Sequence, residues 1–170
     1  IKSKIFFKLI MNPLQDKWVI WFHDPKEQDW SLSSYKKLWT IETVEDFWIL
    51  HKVLDEKKVQ EGMFFLMKEN IDPIWENEQN INGGCWSYKI SKRDIYPSWL
   101  ELAMALTNEK ILKNENNNDI NGISISPRKA FNILKIWNKN ADTSSNELLS
   151  KKIPKLFVSH CIYKSHKSRN

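Results

Sequence analysis

Apolar and polar positions follow two rhythms along the chain, and the changes between them mark out its elements. KWVIWF at 17–22 is a compact β-branched and aromatic run closed by the turn-forming HDPKEQD, which predicts a strand followed by a polar loop holding Trp30. YKKLWTI at 35–41 predicts a second strand. Thr43 and Asp46 have the spacing of a capping box, and Val44, Phe47, Trp48 and His51 recur at helical spacing, so a helix is expected to run to near Leu54. MFFLMK at 63–68 and CWSYKI at 85–90 predict strands. Between them KENIDPIWENEQNINGG is a long polar stretch holding one apolar pair, Ile74 and Trp75, which puts Trp75 on a loop. Ser98 with Glu101 predicts a second capping box opening a helix through Leu102, Met104, Ala105 and Leu106. After the Asn-rich loop NENNNDING at 114–122, GISIS at 122–126 and FNILKIWN at 131–138 predict a hairpin. SSNELLSKK at 144–152 suggests a third short helix, and KLFVSHCIY at 155–163 a final strand.

Strands outnumber helices and their short connections favour antiparallel pairing, so the expected class is α+β, with helices on one sheet face and the other face open to a ligand. No internal repeat is evident. A length of 170 residues suits one domain, 1–170, with the mixed basic and apolar residues 1–11 expected as a mobile arm.

Composition narrows the function classes. With 41% hydrophobic and 28% charged residues, four glycines and six prolines, the chain is neither collagen-like, fibrous nor wholly disordered. No apolar run approaches the ~18 residues of a membrane span, and the opening IKSKIFFKLIMNPLQ lacks a signal-peptide h-region, so a soluble cytoplasmic protein is expected. Cys85 and Cys161 lie in no zinc-binding spacing and cannot make a disulfide framework, which fits a reducing compartment. The net charge of +5 suits an anionic partner. Nine tryptophans are far more than packing a domain of this size requires.

Catalytic signatures are missing: GxxxxGK[ST], GxSxG, HExxH and GxGxxG do not occur, so no enzyme, cofactor or metal is expected. His23, His51, His160 and His166 are read as surface or satisfied core residues. Trp30 and Trp75 each stand among charged or turn-forming neighbours, where a core indole would have apolar companions. Two loop indoles can clamp a purine at ~1 to 3 kcal/mol per stacked face, and a cationic purine gains a cation–π contribution as well. Glu76, an acceptor-only carboxylate, suits the N–H donors of guanine's Watson–Crick edge. From the residues alone a plainer reading stays open, with both indoles as half-buried loop anchors and Glu76 as a solvated charge.

Several ordered blocks resemble one family. NPLQDKWVIWF at 12–22, Trp30, TVEDFW at 43–48, IDPIWENE at 71–78, GGCW at 83–86, SWLEL at 98–102 and a C-terminal pair, Arg128 and Trp137, are similar to eukaryotic translation initiation factor 4E, the messenger-RNA cap-binding family, over nearly the whole domain. The resemblance implies a curved antiparallel sheet of about eight strands with three helices packed on the convex face, and a monomer that binds the 7-methylguanosine cap in the concave side. It implies that Trp30 and Trp75 stack on the base, that Glu76 and the Trp75 backbone N–H read its edge, that Trp137 packs against the methyl group and that Arg128 holds the triphosphate. Trp18 and Trp21 match core tryptophans. Pro13, Val44, Trp48, Leu100, Glu101 and Met104 match the convex docking site for a short helix of the scaffold factor 4G or of inhibitory 4E-binding proteins, although a stripe such as Val44, Phe47 and Trp48 also fits a core, as Phe47 does.

The chain departs from the family at the phosphate side. Ala130 and Ile133 stand where lysines are usual, and Cys85 where arginine is common. Lys135, which strand alternation puts on the face of Ile133 and Trp137, and Lys129, beside Arg128, are candidate replacements. Asn108 replaces a glycine, and the family's phosphorylatable C-terminal serine has no evident counterpart. The expected function is cap binding that recruits the scaffold factor to start translation. The alternatives are a cap-binding repressor and an interaction module of the same fold without cap affinity.

Overall fold

The computed structural model describes residues 11–113, 117–150 and 161–167. Its strands are β1 (Pro13–His23), β2 (Lys36–Thr43), β3 (Met63–Lys68), β4 (Gly84–Ser91), β5 (Ile120–Pro127), β6 (Phe131–Asn138) and β7 (Cys161–Ser165). The helices are α1 (Val44–Val53), α2 (Glu56–Glu61) and α3 (Ile95–Thr107). The seven strands form one sheet in the order β2-β1-β3-β5-β6-β4-β7, with every neighbouring pair antiparallel. Register shifts in β1 at Ile20/Trp21 and in β5 at Ile120/Gly122 are the kind of irregularity that bends strands and adds twist, and the sheet is curved.

Period-2 alternation sorts the side chains onto two faces. Trp18, Ile20, Leu66, Trp86, Ile123, Ile125, Leu134 and Ile136 point to the helices and form the main core with Phe47, Leu50, Trp99, Leu102 and Leu106. Met63, Phe65, Met67, Cys85 and Trp137 pack on the opposite face. Because β3 is covered on both sides, MFFLMK is an unbroken apolar run rather than an alternating one. Trp18 belongs to the main core, whereas Trp21 is half-buried against the second cluster.

The first helix forms as its spacing indicates. Thr43 Oγ1 accepts from the Asp46 N–H and the Asp46 carboxylate accepts from the Thr43 N–H, each at 3.1 Å, and Leu54 closes the C-terminus. The second capping box does not form. α3 begins at Ile95, with Asp94 at the N-cap position making no side-chain capping bond, and Ser98 Oγ donates back to the Asp94 carbonyl at 2.7 Å. Pro97 sits in the first turn, where its missing N–H costs nothing, so the helix can begin ahead of Ser98. The third helix is not at 144–152 either. Among the described residues of that stretch only a 3-10 turn, Asn146–Leu148, occurs, while the third α-helix is α2, whose Asp55 cap and single buried residue, Val59, leave no apolar periodicity to read. Residues 1–10 of the expected arm, residues 151–152 and residues 155–160 of the expected last strand lie outside the described residues, while β7 is that strand's far end.

Candidate functional site

Cross-strand register builds the floor of a cavity of about 310 Å³ on the face away from the helices. Phe65 on β3 stands opposite Ser124 on β5, and Ser124 opposite Lys135 on β6. Two residues further along β6, Trp137 is buried over the same face, and its Nε1 donates to Ser124 Oγ at 2.9 Å, which fixes the indole's rotation. Opposite Trp137 the chain requires Gly122, because a Cβ there would collide with the Leu66 carbonyl of the neighbouring strand.

Two loops raise the walls. Trp30, in the β1–β2 connection, lines the cavity and remains 54% exposed. Trp75, in the β3–β4 connection, is half-buried against the second cluster, and Glu76 beside it is exposed at the rim. Tyr35 closes the floor between the walls. Burial and, secondarily, the negative charge of Glu76 push its phenol up to about 12, so it stays a neutral O–H at physiological pH. Glu76 lines the same cavity as Tyr35.

One buried side chain holds the Trp75 loop. Asn80 Nδ2 donates to the carbonyls of Asp72 at 3.0 Å and Ile74 at 2.8 Å, while Asn80 Oδ1 accepts from Asn121 Nδ2 at 2.9 Å. The Asn80 carbonyl accepts from His166 Nδ1 at 2.7 Å, and His166 Nε2 lies 3.3 Å from Cys85 Sγ. Nδ1 donates to the carbonyl, and in the neutral imidazole Nε2 then accepts from the thiol. The His166 ring packs against Trp137 at 5.1 Å, so one network ties the β3–β4 loop to the floor. Cys85 is therefore a buried packing residue rather than a rim position that a cation could occupy.

The phosphate-side candidates divide. Arg128 and Lys135 line the cavity; Lys129 and Ala130 are exposed on the β5–β6 turn outside its lining, and Ile133 is half-buried. On the opposite side of the sheet, Val44 and Trp48 are 39% and 47% exposed on α1. Leu100, Glu101 and Met104 are half-buried on α3, and Pro13 is exposed where β1 pairs with the residue before α1. Tyr96 Oη donates to the His51 carbonyl at 3.2 Å, linking α3 to α1. Phe47 is core, as expected.

Sequence reasoning did not select Tyr35, Met63, Phe65, Ser124, Asn80 or His166 for the site. The alternation of β3, β5 and β6 carried a signal for the floor residues, but using it needed the strand order. Asn80 carried none, because its partners lie 6, 8 and 41 residues away. His23, His51 and His166 are buried, while His160 lies outside the described residues. No helix among the described residues is long and apolar enough to cross a membrane.

Comparison with known proteins bears on this geometry. Residues 13–170 match the model of the family Eukaryotic initiation factor 4E. The chain is 33% identical over 143 residues to a eukaryotic translation initiation factor isoform 4E of Capsicum annuum, covering 81% of this chain and 69% of that protein. It is 30% identical over 140 residues to eukaryotic translation initiation factor 4E of Saccharomyces cerevisiae, covering 78% of this chain and 64% of that one. Its fold matches C. elegans eIF4E-3 in complex with the 4E-binding protein Mextli and a cap analog, with a TM-score of 0.81 and 25% identity over 93% of this chain and 94% of that one. Ascaris suum eIF4E-3 with an m7G cap matches with a TM-score of 0.78 and 25% identity, over 92% of each chain.

Proposed function

The chain belongs to the eukaryotic initiation factor 4E family, whose members bind the messenger-RNA cap rather than catalyse a reaction, and we propose that Trp30 and Trp75 sandwich the cap's 7-methylguanine in this protein. The observation that carries the assignment is that two loops remote in sequence bring these indoles to one cavity, with Glu76 beside Trp75 and Trp137 on the floor. Methylation leaves the base cationic, and a cation between two electron-rich ring faces is attracted more than its neutral counterpart. Glu76 accepts from the N–H donors of the guanine edge, with the Trp75 backbone N–H assisting. Trp137 packs against the methyl group. Arg128 and Lys135 hold the triphosphate, with Lys135 supplying the charge absent at Ala130 and Ile133. Lys129, outside the lining, acts at longer range.

On the convex side, Trp48 and Val44, with Leu100, Glu101, Met104 and Pro13, receive a short amphipathic helix of the scaffold factor 4G or of an inhibitory 4E-binding protein, Trp48 being the anchor. The working compartment is the cytoplasm, as for a factor that starts translation. Titrating 7-methyl-GTP and GTP while following tryptophan fluorescence tests the clamp. The methylated ligand should quench strongly and bind more tightly than GTP, and Trp30→Ala should lose both affinity and that preference. Equal responses of the parent to the two nucleotides would refute the assignment.

A further inference from the structure

Trp30 poses a physical problem that the clamp alone does not solve. An indole 54% exposed on a loop of turn residues has rotamers to lose when a ligand arrives, and that entropy is subtracted from affinity. We infer that His23 is the positioning residue that presents Trp30 to the base, an inference that rests on the cap-binding reading above.

His23 ends β1, is fully buried and pairs with Met63 on β3, so its backbone belongs to the sheet rather than to the loop. Its ring lies 4.5 Å from the Trp30 ring at an interplanar angle of 6°, a parallel stack. Tyr35 packs against the imidazole at 4.6 Å and 53°, and thereby holds it from another side. Trp30 and Tyr35 line the cavity but His23 does not. A parallel stack occupies one face of an indole. His23 therefore covers the rear of Trp30 and leaves the front to the ligand, and the stacking order becomes His23, Trp30, base, Trp75.

The loop is tied at the residues flanking Trp30. His23 Nε2 lies 2.8 Å from the Asp29 carbonyl, which can only accept, so Nε2 carries the proton. The Asp29 carboxylate in turn accepts from the Ser31 N–H and hydroxyl, each at 2.8 Å. One imidazole thus sets both the indole's plane, by stacking, and its anchorage, through Asp29. His23 Nδ1 is buried with no hydrogen-bond partner among the described residues, so the ring offers no second polar contact and serves as an aromatic slab. An aromatic pair of this kind contributes about 0.5–1.5 kcal/mol, or roughly two- to tenfold in affinity at 1.4 kcal/mol per decade.

The test compares His23→Ala, His23→Leu and His23→Phe by fluorescence titration with 7-methyl-GTP and GTP, in the parent and in a Trp30→Ala background. His23→Ala and His23→Leu should weaken 7-methyl-GTP binding about two- to tenfold and shrink its advantage over GTP. His23→Phe, which keeps a ring to stack but loses the hydrogen bond to the Asp29 carbonyl, should restore part of both. In the Trp30→Ala background the same substitutions should change nothing further, because His23 acts through that indole. If His23→Ala does not fold, Leu against Phe carries the comparison at similar buried volume. Parental affinity in His23→Leu, or losses equally large without Trp30, would overturn the positioning role and leave cap binding standing. Absence of selective binding by the parent protein would instead remove the reading on which the role rests, and the role with it.

Discussion

Replacing Asn80 with alanine should weaken cap binding although Asn80 does not itself line the cavity. The side-chain amide makes three hydrogen bonds, two donated to the Asp72 and Ile74 carbonyls and one accepted from Asn121. Asn121 keeps a second acceptor, the Gln79 carbonyl at 2.7 Å, so its loss is small. The Asp72 carbonyl loses its donor and the Ile74 carbonyl keeps only a long one, the Asn77 N–H at 3.4 Å, so at roughly 1–3 kcal/mol for an unsatisfied group the ordered loop loses about 1–3 kcal/mol, less whatever water recovers. The Ile74 carbonyl immediately precedes Trp75, so this energy holds one wall of the clamp. Where the loop spends part of its time displaced, apparent affinity falls in proportion to the competent fraction. A ten- to hundredfold rise in the 7-methyl-GTP dissociation constant is expected, about 1.4–2.8 kcal/mol. Asn80→Asp should be worse, since a carboxylate oxygen would face the two carbonyls in place of a donor. Fluorescence titration gives the affinity, and urea unfolding of the same samples gives the global stability. A variant that loses stability yet binds 7-methyl-GTP like the parent would show that the Trp75 wall does not depend on Asn80.

Further outcomes are expected elsewhere on the molecule. Lys135→Ala should weaken 7-methyl-GTP binding and lower the slope of log K against log salt, with little effect on binding of 7-methylguanosine, which carries no phosphate; an unchanged slope would remove Lys135 from the phosphate site. Trp48→Ala should weaken a 4E-binding peptide by at least about 2 kcal/mol, the scale of an interface hot spot, while leaving cap affinity and melting temperature near parental values, which calorimetry against each ligand checks. His51 is buried, donates Nδ1–H to the Phe47 carbonyl at 2.8 Å and has no partner for Nε2 among the described residues, and burial holds its pKa below the ordinary value. The unfolded chain therefore takes up this proton first. Its contribution to stability is complete above the unfolded pKa of about 6.5 and is lost as pH falls from there through the depressed folded value. His51→Phe should flatten that part of the melting temperature profile between pH 7 and 5, and an identical profile would exclude His51 as its source.

Local chemistry in the chain determined much of this protein. The Thr43 and Asp46 capping box forms because both partners lie within one helical turn, and the loop positions of Trp30 and Trp75 follow from polar, turn-forming neighbours. Family resemblance added roles for residues that spacing alone left open, including Glu76 and Trp137. Where local signals conflicted, tertiary packing chose. Ser98 has an N-cap's composition but lies inside α3, because Pro97 is tolerated in the first turn and the apolar stripe from Ile95 onward is buried. Glu56–Glu61 is helical although it buries only Val59.

What only the folded structure decided is how distant residues meet. Sheet order places Phe65, Ser124 and Lys135 side by side across three strands, and no pattern along one strand encodes its neighbour. Period 2 could put Lys135 on the face of Trp137, but the cavity at that face depends on two loops closing over it. Cys85 illustrates the same limit. Its position suggested a missing cation, whereas packing between Trp137 and His166 makes it part of the buried support. Backbone propensities act over a few residues, while hydrogen bonds such as those of Asn80, and stacks such as His23 on Trp30, form only after the chain has paid the entropy of bringing their partners together.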